Sequence, residues 1–150
     1  QLVMNRGHYY LVGNHESYDD MSTLRVDRIA HITVLNERRK PLREIKGYQQ
    51  QRTFNVSQYV KEHIYMFGGE SITVTFKARR SIVNQILDWF DGNVEFTNIT
   101  ADNVVCRVRV NHDAFKYWAL QYMQSVKVLT PASLVTEVKA AIEEGLHQYS

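Results

Sequence analysis

From Ile72 onward the hydrophobic period of this chain switches between two and 3.6 residues, and that switching restricts the fold more than any single motif. Ile72, Val74 and Phe76 alternate with Thr73, Thr75 and Lys77, so a half-buried strand is expected. Ile82, Val83, Ile86 and Trp89 or Phe90 then recur at helical spacing. Ser81 can cap that helix and Asp91-Gly92 can stop it. Val94 to Ile99 reads as a strand and Thr100 to Asn103 as a turn. Val104, Cys106, Val108 and Val110 alternate along a further strand that carries Arg107 and Arg109 on its other side. Asn111 opens a helix with Phe115, Trp118, Ala119 and Tyr122 on one face, and Val126 to Leu129 forms the last strand.

The resulting order, β-α-β-β-α-β, is the ferredoxin-like arrangement, which buries one sheet face under two helices and leaves the other open. A closing helix follows, with Thr130 as its cap, Pro131 at the first helical position, and Leu134, Val138, Ala141 and Ile142 as its apolar stripe. The open face would carry Arg107 and Arg109. It lacks the aromatic pair of an RNA-recognition sheet, which favours dimer contact or ligand closure over RNA.

The first third reads differently. Leu2-Val3-Met4, a turn at Asn5-Arg6-Gly7 and His8 to Gly13 suggest a hairpin, followed by the polar loop Asn14 to Asp20. From Ser22 the alternation of Leu24 and Val26 runs until Arg28, where its phase slips before Ile32 and Val34 resume it. Such a slip points to a bulge or bend, as at the corners of small barrels. Three strands cannot close a barrel, so one or more further strands are expected ahead of Gln1, and the chain reads as a piece of a longer protein. Asn36 to Pro41 is a basic turn, and Leu42 to Gly47 is a solvated connector or one helical turn, the connector being favoured. Gln49-Gln50-Gln51 suits a linker, and Val56, Tyr59, Val60 and Ile64 mark one face of a short helix that Met66 to Glu70 ends. The division is therefore 1–47 as a partial barrel domain, 48–71 as a linker with a short helix, and 72–150 as the α+β domain.

Composition narrows the function classes. At 150 residues and 44% hydrophobic, the chain can bury a real core. No run of eighteen apolar residues and no hydrophobic leader occurs, so neither a membrane partner nor secretion is expected, and the cytoplasm is the default compartment. The one cysteine, Cys106, fits that setting and reads as a small core residue. Net charge is only +2, but residues 1–47 hold eight Lys/Arg against six Asp/Glu while the two later segments each balance, so the excess sits in the first third.

Within that third, Arg25 and Arg28 are the sharpest candidates for chemistry. Guanidinium groups on a strand offer a planar fork of donors to phosphate or carboxylate, and a nearby Tyr10 can stack or hydrogen-bond. His8 and Arg6 would flank such a ligand-binding surface. The alternative is a structural ion network with Asp27. No pair among the six histidines has metal-site spacing and no H-E-x-x-H occurs, so no metal or other cofactor is expected. No G-x-S-x-G, P-loop or dinucleotide fingerprint appears, which argues against an enzyme. Trp89 and Trp118 lie in helical stripes and read as core.

Tyr9-Tyr10-Leu11 and Arg25-Val26-Asp27-Arg28-Ile29 together resemble the core of the WYL domain, with Tyr9 in the place of the tryptophan that names the family and Leu24 where an aromatic residue is common. Trp118-Ala119-Leu120, Val126-Lys127-Val128-Leu129 and Pro131-Ala132-Ser133-Leu134 are similar, in order, to its C-terminal extension, WCX. The resemblance implies an Sm-like or SH3-like barrel and a role in bacterial transcription regulation, downstream of a helix-turn-helix domain that contacts operator DNA. It raises Arg25, Arg28 and the Tyr-Leu strand to an effector-sensing surface. The expected effector is anionic, a nucleotide or short single-stranded nucleic acid, and the regulator is expected to be a homodimer. A purely structural dimerisation module is the rival.

Overall fold

Arg6 and Gly7 turn the first hairpin of the computed structural model, which describes residues 1–150. Both have positive φ, 48° and 81°, as a two-residue type I′ turn requires, and glycine supplies that conformation without steric cost. The turn joins β1 (Leu2–Asn5) to β2 (His8–Asn14), with Asn5 opposite His8. Strand β3 (Met21–Arg25) pairs antiparallel with the other edge of β2, setting Tyr10 opposite Arg25 and Leu11 opposite Leu24. This three-stranded sheet, in the order β1-β2-β3, is open and no closed barrel forms.

Strand β3 stops earlier than its alternation suggests. Val26–Arg28 form a 3-10 turn, closed by the Ile29 N–H donating to the Val26 carbonyl at 3.2 Å. The phase slip at Arg28 is therefore a helical turn, not a bulge, and Arg28 is off the strand. Ile32 and Val34 do not resume it either: they are 77% and 94% exposed, with no neighbouring strand to satisfy their backbone.

The segment after them is less solvated than its composition implies. Leu42–Glu44 make a second 3-10 turn, and Ile45 is buried with Val3, Val12 and Met21 of the sheet. Helix α1 (Val56–Glu62) starts where Asn55 Oδ1 accepts the Gln58 N–H at 3.0 Å. It drops Tyr59 into the same core, and Met66 completes it. The small sheet thus gets its apolar floor from residues 45–66, because three short strands alone cannot enclose one. At Gly68 an added Cβ would lie 2.9 Å from the Met21 carbonyl oxygen, so the crossing into the second half needs a residue without a side chain.

The second half follows its periodicity closely. Strand β4 (Ser71–Arg79), α2 (Val83–Phe90), β5 (Val94–Thr97), β6 (Asn103–Asn111), α3 (His112–Gln121), β7 (Val126–Thr130) and α4 (Ala132–His147) occur in that order. The strands make a four-stranded sheet, β5-β6-β4-β7, with every pair antiparallel. Two caps differ from expectation. Ser81 lies inside a 3-10 turn, Arg80–Ile82, that precedes α2 and caps nothing, and Pro131 occupies the cap position of α4 itself because Thr130 still belongs to β7.

Phe76, Phe90, Phe115 and Trp118 meet at the centre of this core with ring centroids 4.8–6.1 Å apart, and all four are fully buried. Aromatic groups of that size dominate the burial that holds such a domain together. Trp118 is core, as its helical spacing suggests. Cys106 is equally buried, and desolvation pushes its thiol up to about 11, which leaves it inert.

Candidate functional site

The Tyr-Leu strand and the arginine segment adjoin, with Tyr10 directly opposite Arg25. Arg25 Nε and Nη2 donate to the two carboxylate oxygens of Asp27 at 3.0 and 2.6 Å, a bidentate fork two residues along the chain. That hydrogen bonding raises the Arg25 pKa and lowers that of Asp27, with His8 adding a smaller favourable field at the carboxylate. Arg28, on the 3-10 turn, is exposed and forms no ion pair.

The alternation of β2 decides which tyrosine faces outward. Tyr10 is half-buried and packs against the first core, whereas Tyr9 is 55% exposed. Arg6 turns away towards the second half: its guanidinium lies 3.9 Å from the centroid of Trp89, and its Nη2 donates to the Asp88 carbonyl at 3.3 Å. His8, Tyr10 and Arg25 thus lie on one face of the sheet, Arg28 follows on the 3-10 turn, and Arg6 is a contact between the two halves.

Enclosed space lies elsewhere. A cleft of about 300 Å³ separates α1 from the start of β4 and is lined by Tyr48, Tyr59, His63, Glu62 and Arg109 among others. Here His63 is buried and stacked on Tyr59, at 3.8 Å between centroids, with Nδ1 2.8 Å from the Tyr59 carbonyl and Nε2 3.3 Å from the Gly69 carbonyl. Burial lowers the His63 pKa and raises that of Tyr48 to about 12; Tyr59 is raised further still by the same cause. A second groove, of about 900 Å³, has Leu11, Val12, Met21 and Phe54 on its floor and Arg39, Lys40 and Arg52 at its rim. Sequence reasoning missed both, since Tyr59 and His63 sit four apart on what reads as an ordinary amphipathic helix. The basic turn Asn36 to Pro41 was the one visible trace of the groove.

The two halves are fastened by specific polar contacts. Asn111 is 1% exposed; its Nδ2 donates to the Gly68 and Glu70 carbonyls at 3.1 and 3.3 Å, while its Oδ1 caps α3 by accepting the Ala114 N–H at 3.0 Å. Tyr65 donates to Gln121 Oε1 at 2.8 Å and Arg109 pairs with Glu62 at 3.4 Å, while within the first half the Thr23 hydroxyl donates to the Met66 carbonyl. No grouping of three or more His, Cys, Asp or Glu could hold a metal ion. No helix is long and apolar enough to cross a membrane.

An antiparallel hairpin sheet bearing the Tyr-Tyr-Leu strand, joined to a βαββαβ domain with a closing helix, defines a two-part α+β protein of the WYL type. The chain belongs to the WYL and WCX family: residues 1–34 match the WYL domain and residues 69–146 match the WCX domain. Among solved structures, the proteasome accessory factor B/C (PafBC) of Arthrobacter aurescens is similar at a TM-score of 0.49 and 20% identity, over 100% of this chain and 22% of that one. This chain thus spans about a fifth of the length of that protein. No curated protein sequence matches it.

Proposed function

We propose that this chain is the effector-sensing and oligomerisation region of a bacterial helix-turn-helix transcriptional regulator of the cytoplasm, in which an anionic ligand modulates operator binding by a preceding domain. The ligand would be a nucleotide or a short single-stranded nucleic acid. The observation that carries this reading is a pair of guanidinium groups three residues apart in the chain, Arg28 without an ion-pair partner and Arg25 held by one exposed carboxylate. An exposed ion pair contributes little to stability, so a phosphate can replace Asp27 on the same planar fork. His8 lies close enough to Asp27 to add a favourable field, and Tyr10, directly opposite Arg25, provides a ring edge.

The hairpin supplies a route from that surface to the second half. Tyr10 lies in the strand that leads back to Arg6, and Arg6 grips α2 through Trp89 and Asp88. A ligand that favours one setting of this hairpin would bias how the WYL and WCX domains sit, which is the differential contact that allosteric control requires. We divide the chain for this purpose into 1–47, 48–71 and 72–150, and read the last as a ferredoxin-like domain from its strand order.

Titrating nucleotides and short oligonucleotides into the intact regulator tests the proposal. Saturable binding that an Arg25→Ala, Arg28→Ala variant loses supports it; equal binding by both proteins overturns it.

A second reading has its own support, because Asp27 engages two N–H groups of Arg25. In that reading the arginines brace the sheet and the region serves only to pair subunits. Melting without ligand separates the two: bracing requires the double variant to lose several degrees, whereas a ligand site predicts little loss or a gain.

A further inference from the structure

The uncovered face of the four-stranded sheet is strongly cationic. It displays Lys77 and Arg79 from β4, Arg107 and Arg109 from β6, and Lys127 from β7, all exposed. Glu95 of β5 is the single carboxylate contributed by these strands, 3.6 Å from Arg107. Arg109 reaches Glu62 at 3.4 Å, but Lys77, Arg79 and Lys127 have no acidic partner within ion-pair range. Between the cations stand Thr73, Thr75 and Thr97, and no strand places an aromatic ring on this side.

The register sharpens the point. Lys77 and Lys127 are directly opposed across β4 and β7. Like charges at that separation destabilise a sheet, and nothing in the neighbourhood offsets them. An external anion shared between the two ammonium groups would relieve this repulsion.

We infer that this face is a docking surface for the phosphate backbone of duplex DNA, separate from the Arg25 and Arg28 surface. Three features select that partner. Charge without aromatic anchors suits phosphates, not a protein interface, whose affinity concentrates in buried aromatic and aliphatic residues. Lack of stacking rings disfavours a single strand, whose binding relies on base stacking, whereas a duplex offers its phosphates outward. A second copy of the chain is disfavoured too, because a two-fold contact sets a patch against itself and would stack these cations on one another. Hydroxyls of Thr73 and Thr75 are ordinary supplementary phosphate donors. Such contacts position a protein along DNA and read no bases, so the surface adds sequence-independent affinity.

Fluorescence anisotropy with a labelled duplex of arbitrary sequence tests the inference on the 150-residue chain across a salt series. The wild type should bind with log K falling linearly against log salt. Lys77→Gln, Arg79→Gln, Lys127→Gln should bind at least tenfold more weakly, and its slope should shrink by about 0.9 for each phosphate no longer neutralised. Exposed Lys→Gln and Arg→Gln changes preserve the fold, and relief of the opposed lysines should leave the melting temperature unchanged or higher. An Arg25→Ala, Arg28→Ala variant should keep duplex binding, which separates this surface from the proposed effector site. Undiminished binding by the triple variant overturns the inference, as does absence of wild-type binding at about 50 mM salt, where phosphate-directed binding is strong. In the Arg25→Ala, Arg28→Ala variant, tighter binding of a single strand or of polyglutamate than of the duplex overturns the choice of partner.

Discussion

Arg6 lies over the indole ring of Trp89 at 3.9 Å while one of its N–H groups donates to the Asp88 carbonyl at 3.3 Å. A residue of the WYL hairpin turn thereby grips the side chain and backbone of a WCX helix at once. A double-mutant cycle with Arg6→Ala and Trp89→Leu should give a coupling of about 0.5–1 kcal/mol, the range for an exposed cation over an aromatic ring. Chemical denaturation of the four proteins measures it. Strictly additive effects would mean that the two side chains are energetically independent.

Asn111 joins the halves from inside. Its side chain caps α3 and ties down the Gly68 and Glu70 carbonyls in a buried position. Asn111→Ala should cost about 2–3 kcal/mol in urea unfolding, combining removal of a cap with two buried carbonyls left unpaired. Asn111→Asp keeps the cap but removes the donors and places a charge beside carbonyl oxygens, so it should be no milder. A cost below about 0.5 kcal/mol for either would contradict this role.

His63 makes stability depend on pH. Its folded pKa lies below the ordinary value because burial disfavours the imidazolium. The unfolded chain therefore binds a proton first as pH falls through about 6.5, so unfolding becomes easier from there down to the depressed folded value. Melting temperatures between pH 8 and pH 5 should fall more in the wild type than in His63→Gln. Parallel curves would assign the acid sensitivity to other groups.

Gly68 and Gly13 form a matched pair for testing close approach. A methyl at Gly68 meets the Met21 carbonyl at 2.9 Å and the Ser22 Cα at 3.3 Å, both backbone atoms that cannot step aside. Gly68→Ala should cost about 1–3 kcal/mol. Gly13, with nothing within 4 Å of an added Cβ, should accept alanine within about 0.5 kcal/mol of neutral. Equal effects in thermal melts would remove the packing argument.

Much of the second half was legible because regular alternation leaves few alternatives: the residues from Ile72 to Val110 show period two wherever a strand forms, and Phe115, Trp118 and Ala119 mark α3 by spacing alone. The first half was legible only locally. Its hairpin follows from Asn5-Arg6-Gly7, but the end of β3 depends on whether a partner strand is available beyond Arg25, which no local signal records. Ile45 joins the core across a polar stretch, so its burial is a tertiary fact.

The candidate site was half visible for similar reasons. Arg25 and Asp27 adjoin in sequence, so their pairing was foreseeable, whereas Arg6 over Trp89 joins residues far apart in the chain. The inward face of Tyr10 and the outward face of Tyr9 depend on which side of the sheet acquires a floor. Lys77 and Lys127 stand out only once strand register is known.

The apolar floor of the first sheet is borrowed from Ile45, Tyr59 and Met66, well past the last of its strands. Anyone trimming the gene to express the amino-terminal portion alone should therefore cut after Met66. A shorter product ending near Gly47 would retain every strand yet expose their greasy undersides, and would be expected in inclusion bodies.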